Sequence, residues 1–247
     1  MKAIKELYAY REMIVGLVRR DLRGRYKGSV LGFLWTFVNP LLQLVVYTMV
    51  FSVIMKNGIE KYYIYLFVGL VPWIFFSTSV TGGANSILSS KDMVKKIYFP
   101  REVLPISVVT SGFINMLFCF IVIFAALFIS GIGINPVALL FLPIIMIVEY
   151  FLALGFALLS SALTVYFRDL EYILGIITMA WMYLTPVMYP ETMVPENLLW
   201  MLKVNAMTSV IMAYRDILYY KQIPQLETLL QALFVGIVFC ILGHFEF

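Results

Sequence analysis

Charge is what this sequence has least of. Only 13% of its 247 residues are Asp, Glu, Lys or Arg, while 62% are apolar. A soluble domain carries roughly 25% charged and 45–50% apolar residues. The imbalance excludes a soluble globular enzyme, a disordered chain and a collagen-like repeat, and points to a chain whose solvent is mostly lipid. Cysteine is nearly absent. Cys119 and Cys240 both lie in apolar runs, too few and too hidden for a disulfide framework or a cysteine-rich metal site. The single histidine, His244, excludes a multi-histidine metal site.

Catalytic signatures are missing as well. There is no G-x-x-x-x-G-K-[ST] phosphate loop, no H-E-x-x-H, no G-x-S-x-G and no dense acidic cluster for Mg²⁺. No metal site and no cofactor of its own are expected. Nucleic-acid binding is not expected either, because the basic residues abut apolar runs and their sidedness accounts for them.

What is present is a series of long uncharged runs: 28–55, 62–90, 103–148, 150–167, 172–190 and 228–243. About 20 apolar residues span a bilayer core about 30 Å thick. The run 103–148 would measure ~69 Å as one helix, so it must turn, and Gly131, Gly133, Asn135 and Pro136 supply the turn chemistry. The expected fold is an all-α integral membrane protein with six spans, near 31–55, 63–83, 104–130, 137–165, 172–189 and 228–247. The runs lack the period-2 alternation of membrane β-strands. Residues 204–214 are uncharged but too short to span. Following Pro186, Pro190 and Pro195, they read as a re-entrant or interfacial segment on the outer side.

Basic residues orient the chain. Lys2, Lys5, Arg11, Arg19, Arg20, Arg23, Arg25 and Lys27 precede the first span; Lys91, Lys95, Lys96 and Arg101 lie in the second connection and Arg168 in the fourth. The opposite side holds only Lys56, Lys61, Lys203, Arg215 and Lys221. Both termini are therefore expected in the cytoplasm. Residues 1–30 lack the apolar core of a cleavable signal. Instead Met13, Ile14, Leu17, Val18 and Leu22 recur at helical spacing beside Arg11, Arg19, Arg20 and Arg23, the pattern of a basic amphipathic helix at the membrane surface. It anchors the chain on anionic lipid, and a sharper reading adds contact with a cytoplasmic partner or an anionic lipid-linked substrate. The domain division is 1–30 for this helix and 31–247 for the membrane domain.

Glu149 is the only charged residue between Glu102 and Arg168. A carboxylate about 18 Å into a span must be protonated, paired or in a wet cavity. It reads either as a substrate-path or coupling residue, or as a polar packing contact to Ser, Thr, Asn or Tyr of a neighbouring helix. The aromatics Trp35, Tyr47, Trp73, Trp181 and Tyr183 are pathway candidates together with Glu149. Their bland alternative is an interfacial belt.

The ordered motifs resemble one family. Arg20-Asp21-Leu22, Arg25-Tyr26, Ser29-Val30-Leu31-Gly32, Trp35 and Pro40 are similar to the opening of type-2 ABC-transporter permeases, in the branch that exports lipid-linked polysaccharide such as O-antigen and teichoic acid. Phe99-Pro100-Arg101-Glu102-Val103-Leu104-Pro105, Phe167-Arg168-Asp169-Leu170, Leu184-Thr185-Pro186-Val187, Asn205-Ala206-Met207 and Tyr214-Arg215 continue the resemblance along nearly the whole chain. The family usually has proline where Ala206 stands, and usually carries a charged tail past the last span, whereas this sequence ends at Phe247.

The resemblance implies a multi-pass permease of the bacterial cytoplasmic membrane, working as a homodimer with two copies of a separate ATPase that holds ATP and Mg²⁺. The loop 86–102 would couple to that ATPase through Ser90, Asp92, Lys95, Lys96, Arg101 and Glu102, with Arg168, Asp169 and Glu171 as a second contact. Ser89, Ser90 and Asp92 would start a short helix there. Arg19, Arg20, Arg23 and Arg25 would meet the anionic head of the lipid-linked glycan. Two readings from other classes remain. An integral-membrane transferase would need an acid/base or metal cluster, and an ion-driven transporter would commonly show internal repeats.

Overall fold

The computed structural model describes residues 2–24, 28–54 and 58–246. Arg25, Tyr26, Lys27, Lys56 and Phe247, named above, lie outside them. The described residues are almost entirely helical and contain no strand. In chain order they form α1 (Lys2–Ala9), α2 (Arg11–Gly24), α3 (Trp35–Thr48, extended by a π-turn over Met49–Ile54), α4 (Tyr62–Ser89), α5 (Lys91–Lys96) and α6 (Val103–Ser130). Then follow α7 (Pro136–Leu139), α8 (Leu142–Tyr166), α9 (Leu170–Leu184), α10 (Leu199–Val204), α11 (Ala206–Arg215) and α12 (Leu226–Phe245).

Among the described residues, five stretches are long and apolar enough to cross a bilayer: Gly32–Ile54, Tyr62–Ser89, Val103–Ser130, Pro136–Tyr166 and Leu226–Phe245. The expected hairpin between the third and fourth is present. Gly131 and Gly133 adopt φ of 69° and 81°, and the Asn135 side chain caps α7 by accepting from Val137 N at 3.0 Å. The expected span 172–189 is shorter than the pattern suggested. Pro186 cannot continue a helix and biases the preceding residue to extended backbone; Thr185 sits at φ −107°, ψ 135°. The 15 residues of α9 rise only about 22 Å, and residues 185–189 continue as unwound chain.

The helices differ sharply in burial. The apolar window of α4 is 78% buried, whereas that of Gly32–Ile54 is 6% buried. A helix apolar all round belongs in the interior, and α4 packs against α3, α6, α8, α9 and α11. Small residues permit the approach. A Cβ on Gly83 would lie 2.6 Å from Ala157 Cβ of α8. The α8–α12 seam is tighter still. A Cβ on Gly155 would fall 2.5 Å from the Gly236 carbonyl, one on Gly236 would fall 2.8 Å from Leu152 N, and one on Gly243 would fall 2.7 Å from Leu158 Cβ. Where lipid removes the hydrophobic drive between helices, such backbone-to-backbone packing holds them together.

The amphipathic N-terminal helix is α2. It lies against α6, and Leu17 joins Ile87, Phe99, Val103 and Leu104 in a small second core with Met13 and Ile14 at its edge. Arg19, Arg20 and Arg23 stay exposed. The apolar stripe therefore has a protein partner, the base of the 90–102 loop.

The seam yields a stability test. Gly155→Ala is expected to lower the thermal stability of the detergent-solubilised chain by about 1–3 kcal/mol, the cost of overpacking. Gly175→Ala, where an added Cβ meets nothing within 4 Å, is expected to leave it unchanged or slightly raise it. Equal melting temperatures for the two variants would contradict the packing.

Candidate functional site

Two clusters gather the residues singled out in the sequence, one at each end of the bundle. At the end that carries α2, the loop 90–102 begins as α4 stops at Ser90. The helix start expected from Ser89, Ser90 and Asp92 forms as α5, but not by side-chain capping. Ser89 Oγ donates back to Ser86 O at 3.1 Å, and Ser90 makes no side-chain cap. Its carbonyl instead accepts from Met93 N and Val94 N at 3.0 and 3.1 Å. Asp92 stands in the first turn and Lys95 and Lys96 in the last, the arrangement that complements the helix dipole. Met93 and Val94 turn toward the Leu17 core, which leaves Lys91, Asp92, Lys95 and Lys96 exposed.

Past α5 the loop presents Ile97 and Tyr98, exposed at 57% and 87%, before Phe99 returns to the small core. Arg101 is exposed. Glu102 is not; it is 6% exposed, and His244 Nδ1 at the end of α12 donates to its Oε1. Glu102 thus faces the bundle while Arg101 before it faces outward. Arg168 and Asp169 are exposed on the short connection after α8. Glu171 is half-buried and lines a groove between α4 and α9 with Asn85 and Tyr172. Ile97, Tyr98 and His244 went unassigned in the sequence. An apolar pair inside a lysine-rich loop, and a lone histidine ending an apolar run, were the available signals.

At the opposite end, three motifs far apart in sequence form one network. Asn205 Oδ1 caps α11 by accepting from Met207 N at 3.1 Å. It also accepts from Trp181 Nε1 at 3.1 Å, and Asn205 Nδ2 donates to Thr185 Oγ1 at 2.8 Å. Arg215, fully buried, donates from Nη1 to Pro186 O and from Nη2 to Val187 O, both at 2.5 Å. Its guanidinium lies 3.7 Å over the Tyr65 ring, within the range of a cation–π contact. Tyr62 Oη donates to Met188 O at 2.7 Å and Tyr65 Oη to Tyr189 O at 3.2 Å. Among the described residues no carboxylate pairs with Arg215. The sequence reading counted Arg215 only as an outer-side charge.

The pathway candidates divide. Trp73, at 3% exposure, and Trp181 belong to an aromatic cluster with Phe76 and Phe156, ring centroids 5.2–6.3 Å apart. Glu149 is fully buried. The Tyr214 hydroxyl donates to its Oε2 at 2.6 Å, and its Oε1 meets no partner. These three sit inside one chain's packing. Trp35, which donates from Nε1 to Ser29 Oγ at 2.9 Å, and Tyr47 are half-exposed, and Tyr183 is exposed. Arg25 lies outside the described residues. No cluster of potential metal ligands occurs among the described residues.

The Arg215 network predicts a specific pair of outcomes. Arg215→Lys is expected to cost on the order of 3 kcal/mol in detergent thermal unfolding, because one ammonium cannot replace a fork held on two buried carbonyls. Ala206→Pro is expected to be tolerated or to stabilise by about 0.4–1 kcal/mol. Ala206 opens α11, where proline loses no helical bond, and Asn205 at φ −78°, ψ 105° already has pre-proline geometry.

The comparisons agree with this layout. The ABC-2 type transporter family matches residues 13–219. The O-antigen export system permease protein RfbA of Myxococcus xanthus is 35% identical over 243 residues, covering 96% of this chain and 92% of that protein. Two proteins of the same name from Klebsiella pneumoniae are 34% and 32% identical, covering 83% and 94% of this chain and 80% and 89% of their own lengths. A membrane-embedded helical bundle with a protein-packed amphipathic start, matched over most of its length, belongs to the ABC-2 type transporter family.

Proposed function

We propose that the chain is the permease subunit of an ATP-driven exporter that moves a lipid-linked cell-surface glycan across the bacterial cytoplasmic membrane, with six spans and both termini inside. The three relatives are O-antigen export permeases by name, which supports this cargo class over other ABC-2 cargoes. The subunit performs transport rather than catalysis. It carries no phosphate loop, so hydrolysis of ATP with Mg²⁺ falls to a separate ATPase. Two copies of each subunit complete the transporter in this reading.

The observation that carries the mechanism is the construction of the 90–102 loop. Its base is fixed by Phe99, Val103 and Leu104 on α2, while its tip displays Lys95, Lys96, Ile97, Tyr98 and Arg101. Exposed aromatic and aliphatic groups ringed by cations suit an acidic cleft of a soluble partner. A rigid base converts movement of that partner into movement of helices. Arg168 and Asp169 provide the smaller second contact. Arg19, Arg20 and Arg23, exposed on α2, and Arg25 next in the sequence attract the anionic head of the lipid-linked substrate.

Lys95→Glu combined with Lys96→Glu, or Tyr98→Ala alone, is expected to reduce co-purification with the ATPase about tenfold or more, as removal of an interface hot spot does. Membrane insertion should stay intact. Arg19, Arg20 and Arg23 changed together to Gln should lower export more than insertion. Export from liposomes by this chain alone, driven by an ion gradient, would overturn the assignment in favour of a secondary transporter.

A further inference from the structure

We propose that two polar pairs, Glu102–His244 at one end, its carboxylate buried and its histidine exposed, and the buried Glu149–Tyr214 pair toward the other, carry movement of the 90–102 loop through the locked α8–α12 pair to α10 and α11. This rests on the reading of that loop as the ATPase contact.

The argument begins at Glu102. A nearly buried carboxylate is costly without a partner, and here the partner is His244 of α12. The loop's base is seated on α2 by apolar contact and continues into α6, for which Glu102 is the N-cap, but neither joins it to α12. The Tyr10 hydroxyl reaches Tyr98 O only at 3.5 Å, and the junction of α4 with α5 is a bend at Ser90 without a side-chain cap. The Glu102–His244 pair is the directional, hydrogen-bonded link between the loop and α12.

His244 cannot move alone. Gly243 beside it and Gly236 two turns earlier leave no room between α12 and α8. Contacts of Gly236 with Leu152 and of Gly243 with Leu158 show the two helices running in the same direction. They must shift as one body, because close-packed interiors do not deform continuously. Toward its other end that body carries Glu149, bonded to Tyr214. Tyr214 precedes Arg215, the residue that holds the unwound 185–189 segment. Loop, α12, α8 and α11 are thus joined by two polar pairs and one glycine seam.

The test uses the complex with its ATPase in proteoliposomes. A fluorophore is placed at an exposed position of α10 by Trp200→Cys in a Cys119→Ala, Cys240→Ala background, and the ATP-dependent signal change is read. His244→Phe and, separately, the near-isosteric Tyr214→Phe are each expected to cut that change about fivefold or more, with ATPase co-purification unchanged. The exchange Glu102→His with His244→Glu is expected to restore it, which a loss of folding would not allow. Any other pattern, including a full signal in His244→Phe, overturns the route and leaves α4 as the transmitting element. Failure of the unaltered chain to bind the ATPase would instead overturn the functional reading on which the route rests.

Discussion

Four successive backbone carbonyls, Pro186 to Tyr189, stand outside any helix, and the half of the bundle away from α2 is organised around satisfying them. In hydrocarbon an unpaired carbonyl costs several kcal/mol, so unwound backbone survives only where protein groups replace water. Here two carbonyls accept from Arg215, one from Tyr62 and one from Tyr65. Arg215 in turn requires α11 to be held in place, and Asn205 does so by capping its start while gripping Thr185 and Trp181. Remove the guanidinium and the unwound stretch after α9 loses its solvent.

The same economy governs the other end. Among the described residues three buried ionisable side chains are met by groups from another element, Glu102 by His244, Glu149 by Tyr214 and Arg215 by carbonyls, while Asp216 is met locally by Gln222. Between these points the bundle is joined by contact of backbones at Gly83, Gly155, Gly236 and Gly243. Such a frame is stiff where helices touch and polar where segments join. That distribution suits the transmission of movement from one face to the other that is proposed above.

Much of this was legible in residues. The turn at Gly131 and Gly133, the cap at Asn135 and the apolar stripe of α2 are local properties, set by allowed φ, by an orphan helix donor and by 3.6-residue periodicity. The end of α9 was misjudged, because apolar composition continues to Tyr189 although Pro186 had already stopped the helix. Composition measures what lipid tolerates and not where hydrogen bonds run. The inward turn of Arg215 was not legible for a related reason. Charge counting assigns a residue to a side of the membrane, whereas this side chain turns inward to carbonyls between 28 and 150 residues away in the chain. Trp73 and Trp181 illustrate the limit for aromatics. Belt, pathway and core share one composition, and only packing against Phe76 and Phe156 distinguishes them.

The choice of partners for the buried charges has its own logic. An Arg–carboxylate pair in low dielectric is costly to desolvate, and breaking it strands two charges. A guanidinium resting on carbonyls and a tyrosine ring strands none but itself, and any neighbouring carbonyl offers an equivalent acceptor. A segment held in this way can exchange one set of acceptors for another with a smaller barrier than an ion pair would impose. The Glu102–His244 hydrogen bond lies instead at the end of the bundle, where the histidine side chain is half-exposed and water can share the cost. The carboxylate that has a histidine partner thus sits at the end of the bundle, and the guanidinium held by neutral acceptors in its interior.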